Sequence, residues 1–142
     1  NNLHELINKM ILLVSPQSNA KKIDVSRRFD PNIAQVWMDS EKIKEVILNL
    51  LSNAVEFTPE GGKIEFTTKK SIKKGRPDTI YIEIKDNGLG IHPSMIDHVF
   101  DPYFTTKHKS SIHNGTGLGL FIAHHNIKDH DGTIEVNTKF HK

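Results

Sequence analysis

Cysteine is absent from the 142 residues, which removes disulfides, thiolate nucleophiles and cysteine-held zinc together and suits a reducing compartment. No apolar run exceeds the five residues Met10 to Val14. A membrane-spanning helix needs about 20, so the chain reads as soluble. A surplus of one charge sign is missing too: 19 Lys and Arg face 17 Asp and Glu, a formal net charge of +2. That balance is too small and too evenly spread to make nucleic acid or an anionic membrane the main partner. Neither an initiator methionine nor the basic-then-apolar start of a signal peptide opens the chain, which begins Asn1-Asn2, so a piece of a longer protein is expected. What is there, 36% hydrophobic and 25% charged residues, suits a single domain over residues 1–142 around one core.

Leu3, Leu6, Ile7, Met10, Ile11 and Val14 recur at helical spacing, which predicts an amphipathic helix over residues 3–14 stopped by the turn formers Ser15-Pro16-Gln17-Ser18. Ile23 to Ser26 alternates like a short strand, and Val36-Trp37-Met38 is a second strand candidate. Asp39-Ser40 reads as a helix cap. From Glu41, the residues Ile43, Val46, Ile47, Leu50, Leu51, Ala54 and Phe57 trace one stripe of a four-turn helix that Thr58-Pro59-Glu60-Gly61-Gly62 ends. Strands over 64–68 and 79–84 flank a basic turn at Lys73 to Asp78. A short helix over 94–99, a loop over 101–114, a helix from Gly117 through Ile127 and a last strand over 133–136 complete the pattern.

Three features go beyond a generic domain. Asn49 and Asn53, four apart on the predicted helix, share a face beside the apolar stripe. A buried amide must find hydrogen-bond partners, so the pair implies a polar cavity, although solvent-facing asparagines would show the same spacing. At the end of an apolar strand comes Asp86-Asn87-Gly88-Leu89-Gly90-Ile91, a carboxylate able to accept from an exocyclic amine, followed by two glycines that let backbone approach a ligand; a plain turn is the competing reading. Gly115-Thr116-Gly117-Leu118-Gly119-Leu120 opens a helix, where free N–H groups and the helix dipole favour phosphate. Leu120 stands where a dinucleotide fingerprint needs its third glycine, and no Gly-Lys-Ser/Thr is present for a P-loop.

Taken in order with Phe100 to Lys107, these segments resemble the N, G1, F and G2 boxes of the catalytic and ATP-binding domain of two-component sensor histidine kinases, within the superfamily that also holds DNA gyrase, MutL and the ATP-dependent heat-shock chaperones. The resemblance runs from about Leu3 to Val136. It implies an α/β sandwich of Bergerat type, a mixed sheet covered on one face by the helices from residues 3, 41 and 117. It further implies that Asp86 receives the adenine amino group, that Gly88, Gly90 and Ile91 shape the base pocket, and that Phe57 walls it. Asn53 would coordinate Mg²⁺, a hard cation suited to an amide oxygen, waters and phosphate oxygens. Gly115, Thr116, Gly117, Leu118, Gly119 and Leu120 would hold the phosphates, with Phe104 and Lys107 beside them and the loop between the F and G2 boxes as a lid.

Members of the superfamily that hydrolyse ATP carry a glutamate four residues before the metal-binding asparagine, as a general base for water. Asn49 stands there instead and cannot take a proton at neutral pH, although it can orient a water or the metal shell. The resemblance therefore implies ATP and Mg²⁺ as ligands and transfer of the γ-phosphoryl group to a histidine, with Asn49 as the catalytic side chain. The partners it implies are an upstream, dimeric phospho-acceptor domain of the same protein and then a response regulator. The domain itself is expected to be cytoplasmic, without contact with membrane or nucleic acid. An autonomous ATPase and a nucleotide-sensing docking module are the alternatives. His4-Glu5-Leu6 matches only the start of an acceptor box, so His4 is expected as a surface residue of the first helix. Glu45 is a minor alternative base. Glu56 is a departure: where many sensor kinases place a Lys or Arg towards phosphate, its negative charge must either turn outward or lower affinity.

Overall fold

The structure is a computed structural model and describes residues 2–76, 78–88 and 119–134. Helix α1 (Leu3–Leu13) starts where the Asn2 side chain accepts the Glu5 N–H at 3.1 Å, and it buries Leu3, Ile7, Met10 and Ile11 along one face. Ser15-Pro16-Gln17-Ser18, expected as a turn, instead begins a short helix α2 (Ser15–Ala20). Pro16 falls in the first turn, where a missing N–H costs nothing, and so it starts a helix rather than stopping one. Strand β1 (Asp24–Arg28) follows, shifted slightly beyond the expected span.

Val36-Trp37-Met38 does not form a strand. The only bridge nearby among the described residues joins Asn2 to Gln35, and Trp37 is fully exposed. Strand propensity is a weak preference that tertiary context overrides. Helix α3 (Ser40–Phe57) is capped as expected: Asp39 Oδ1 accepts the Glu41 and Lys42 N–H groups at 3.1 and 3.3 Å. It starts one residue earlier than expected and buries Ile43, Val46, Ile47, Leu51, Ala54 and Val55, while Leu50 is half-buried and Phe57 exposed.

Strands β2 (Lys63–Ser71) and β3 (Thr79–Asp86) make an antiparallel pair from Ile64 opposite Asp86 to Ser71 opposite Thr79, joined by a turn with Gly75 at φ 78°. β1 lies parallel to β2, with Asp24 opposite Lys63 and Arg28 opposite Thr67, so the described sheet is mixed, in the order β1-β2-β3. Ile64, Phe66 and Thr68 of β2 are buried while Glu65 and Thr67 between them are not. One face therefore lies under helices, as a two-period pattern requires. α3 packs on α1, on β3 and on α4 (Gly119–Asp129), whose Ala123 is fully buried. Leu3, Ile7, Met10, Ile47, Leu51, Ile64 and Phe66 form the centre of the core between layers. No helix among the described residues is long and apolar enough to cross a membrane. The expected helix over 94–99 and loop over 101–114 lie outside the described residues, as does the last strand beyond Thr133 and Ile134, which are irregular.

Candidate functional site

Asn49, Asn53 and Phe57 fall at i, i+4 and i+8 of α3 and so share one face. Asn49 is only 5% exposed, and its Nδ2 has no hydrogen-bond partner; Ser52 Oγ, on the next position but one before Ala54, is likewise buried and unsatisfied among the described residues. Leaving a buried donor unmade costs about 1–3 kcal/mol, so a helix that keeps one is holding it for something. Asn53 is half-buried one turn further on.

The turn after β3 is built by its own side chains. Asp86 Oδ1 accepts the Gly88 N–H at 2.8 Å, an Asx-type turn. Asn87 Oδ1 accepts the Lys63 N–H at 2.9 Å while Asn87 N–H donates to Lys63 O at 3.3 Å, tying the turn to the start of β2. Gly88 sits so close to the end of α3 that a Cβ there would lie 2.6 Å from Phe57 O and 2.9 Å from Asp86 Oδ1. A larger residue would drive the turn off the helix. The fold thus brings Asp86 and Gly88 to Phe57, and Phe57 to the face that carries Asn53 and Asn49. Gly90, Ile91, Phe104, Lys107, Gly115, Thr116, Gly117 and Leu118, the other expected site residues, lie outside the described residues; Gly119 and Leu120 form the first described turn of α4.

Several residues behave differently from the expectations. His4 is not a surface residue: it is half-buried, stacked on Phe29 with ring centroids 4.4 Å apart and planes 5° from parallel, and its Nε2 pairs with Thr68 Oγ1 at 2.8 Å. Burial holds its pKa below the ordinary histidine value, and the nearby Asp30 charge offsets part of that. Glu56 does not turn outward; it is half-buried, with Oε2 closed off from solvent. Glu45 Oε2 accepts from Asn126 Nδ2 at 3.4 Å, a contact with α4.

Sequence reasoning missed Asn87 and Thr58. The first looked like a plain turn residue. Thr58 is buried and donates its hydroxyl to Ala54 O at 2.6 Å, closing the helix that carries the site. A Thr directly after a helical stripe was the available signal. No group of three or more His, Asp or Glu among the described residues could hold a metal by itself.

A model of the histidine kinase-, DNA gyrase B- and HSP90-like ATPase family matches residues 38–142. The sensor histidine kinase ZraS of Escherichia coli K12 is 34% identical over 94% of this chain and 27% of its own length. The chain thus spans about a quarter of that curated relative. Among solved structures, the catalytic domain of the histidine kinase ThkA aligns with a TM-score of 0.76 at 33% identity, covering 91% of this chain and 78% of that one. ThkA solved in complex with the response regulator TrrA aligns at 30% identity with a TM-score of 0.72, over 93% of this chain and 35% of the other.

Proposed function

The chain belongs to the histidine kinase-, DNA gyrase B- and HSP90-like ATPase family, and from that premise we propose that it is one catalytic domain that binds ATP with Mg²⁺ and passes the γ-phosphoryl group to a histidine on a dimerising domain of the same protein. A response regulator then takes the phosphoryl group; the ThkA complex with TrrA supports that partner class. The observation that carries the reading is the buried, unsatisfied Asn49 amide on the α3 face shared with Asn53 and Phe57, against whose carbonyl the Asp86-Asn87-Gly88 turn is packed.

Each residue then has a task. Asp86 uses Oδ1 to hold its own turn, and Oδ2 accepts the exocyclic amine of adenine. Phe57 gives the base an apolar wall. The Asn53 amide oxygen is a hard donor that fits Mg²⁺, and the absence of an acidic cluster among the described residues fits a cation completed by phosphate oxygens and water. Mg²⁺, when bound, neutralises charge on the phosphates. Asn49 offers its Nδ2 donor to a water or phosphate oxygen and cannot remove a proton, so water is left without a base and hydrolysis stays slow. Gly115 to Leu120, with Phe104 and Lys107, make up the phosphate end, where the N–H groups at the start of α4 favour negative charge. Such a domain works in the cytoplasm whether or not the rest of the protein is anchored elsewhere.

The test combines binding and transfer. Mixed with γ-labelled ATP·Mg²⁺ and the purified acceptor hairpin, the chain labels the hairpin, and Asp86→Asn weakens ATP binding roughly 10- to 100-fold, the equivalent of about 1.5–3 kcal/mol for one charged hydrogen bond. Steady phosphate release faster than about 1 s⁻¹ with an unlabelled hairpin would instead make the domain an autonomous ATPase. Calorimetry that finds no Mg²⁺-dependent ATP or ADP binding defeats both.

A further inference from the structure

The C-terminus of α3 leaves carbonyls that no later turn can satisfy. Ala54 O takes both the N–H and the hydroxyl of Thr58, at 3.0 and 2.6 Å. At Thr58 the backbone leaves helical conformation, with ψ 131°, and the next residue is Pro59, which has no N–H. Val55 O and Glu56 O instead accept from one side chain: Lys21 Nζ donates to them at 2.8 and 2.9 Å. An ammonium placed across two terminal carbonyls also complements the negative end of the helix dipole.

Lys21 holds the far side of the same turn as well. Its own carbonyl accepts the Gly61 N–H at 2.8 Å, and the Asp24 N–H reaches Gly62 O at 3.0 Å, so the strand entry at 21–24 is laced to the loop that leaves α3. Gly62 in turn has no room for a Cβ, which would overlap Thr58 Cγ2 and come within 2.8 Å of Asn87 Oδ1. The chain of contacts therefore runs from Lys21 through the helix end and the 59–62 loop to Asn87 and Gly88, with Asp86 beside them. We infer that Lys21 is a positioning residue for the base-recognition end of the nucleotide site, setting the distance between the Asp86 turn and the Asn53–Phe57 face. It touches no ligand itself. This inference rests on the nucleotide reading above and adds to it a residue outside every motif of the sequence.

The test uses adenosine and ATP·Mg²⁺ separately, because a residue that positions the base end affects both equally. Affinities of the 142-residue chain are measured by amide chemical-shift titration, well below the unfolding midpoint of each variant. Lys21→Met is expected to weaken adenosine and ATP·Mg²⁺ by the same factor, about tenfold, the size of one lost charged hydrogen bond. Lys21→Arg, with parallel N–H donors for the two carbonyls, recovers most of the affinity. A lowered unfolding midpoint with unchanged affinities overturns the inference, since the lysine would then only support the fold. So does weakening of ATP·Mg²⁺ without adenosine, which would mean a direct charge effect on phosphate. Should Lys21→Met fail to fold by circular dichroism, Lys21→Gln, which keeps one donor, is read against the same two outcomes. Wild-type chain that binds neither ligand defeats the nucleotide reading itself; wild-type binding with indifferent Lys21 variants defeats only this inference.

Discussion

Asn49 shows how a single side chain can be costly for stability and necessary for function. Its Nδ2 is buried without a partner, whereas leucine has nearly the same shape and no polar atom to satisfy. Asn49→Leu is therefore expected to stabilise the ligand-free chain by about 1–3 kcal/mol in urea unfolding while abolishing transfer to the acceptor hairpin. A variant that is both less stable and still active would remove Asn49 from the site. His4 makes the opposite kind of prediction, one of pH. Its native pKa lies below the ordinary 6.5, so the unfolded chain takes up a proton that the native chain resists. The stabilisation is present above about pH 6.5 and is lost as pH falls below it. His4→Gln is expected to flatten the fall in urea midpoint between pH 7.5 and 5.5; an equal fall in both proteins would mean that another group controls it. That Asn49 and Asn53 share a face of α3 was legible from their spacing, whereas their grouping with Asp86 came from the family resemblance. The stacking of His4 on Phe29 was not legible, because the fold alone sets the approach of the 28–30 segment to α1.

Among the elements, α3 was read nearly complete, cap included, because Asp39 and the apolar stripe are local signals. The errors were also local. Pro16 reads as a breaker, yet its place in a first turn makes it a starter, and Val36 to Met38, although β-favouring, is irregular in the fold. What no local reading could reach is the joint between α3 and α4. The Asp39 N–H donates to His130 Nε2 at 3.0 Å, so the imidazole carries its proton on Nδ1, which donates to Asn126 O at 2.8 Å. Asn126 Nδ2 reaches Lys42 O at 3.3 Å, and Lys42 Nζ meets Asp129 Oδ2 at 2.8 Å. That hydrogen bond raises the Lys42 pKa and, from the other side, lowers that of Asp129. His130→Ala removes one hydrogen bond that spans the joint and one that closes the end of α4, and is expected to cost about 1–3 kcal/mol in denaturant unfolding. Lys42→Ala should cost less, and its effect should shrink in high salt, because the ion pair is exposed. If the two substitutions cost the same and neither responds to salt, the joint is held by packing alone.

At the scale of the molecule, the near balance of 19 basic against 17 acidic residues says little about partners, and the sheet says more. A mixed sheet under one layer of helices was expected from the family resemblance, but not its order β1-β2-β3, since strand periodicity alone does not distinguish parallel from antiparallel pairing. A ligand that binds only the folded chain stabilises all of it. ATP·Mg²⁺ at a hundred times its dissociation constant is expected to add about 2.7 kcal/mol and raise the thermal midpoint, with a smaller rise for Asp86→Asn at the same ATP concentration. A wild-type midpoint that ignores nucleotide would contradict the site.

The parallel pairing of β1 with β2 bears on how the chain reaches this structure. Parallel neighbours cannot be joined by a tight turn, and here the segment between Arg28 and Lys63 contains the whole of α3. The entropy of closing that long connection must be met before the Asp24–Lys63 register gives anything back. An α3 docked on α1, with Ile47 and Leu51 in one core with Leu3 and Ile7, would shorten the search for it. Placing the helix that presents the asparagines in the early part of folding predicts that damage to its buried stripe, such as Leu51→Ala, slows folding more than it hastens unfolding, which stopped-flow kinetics would read.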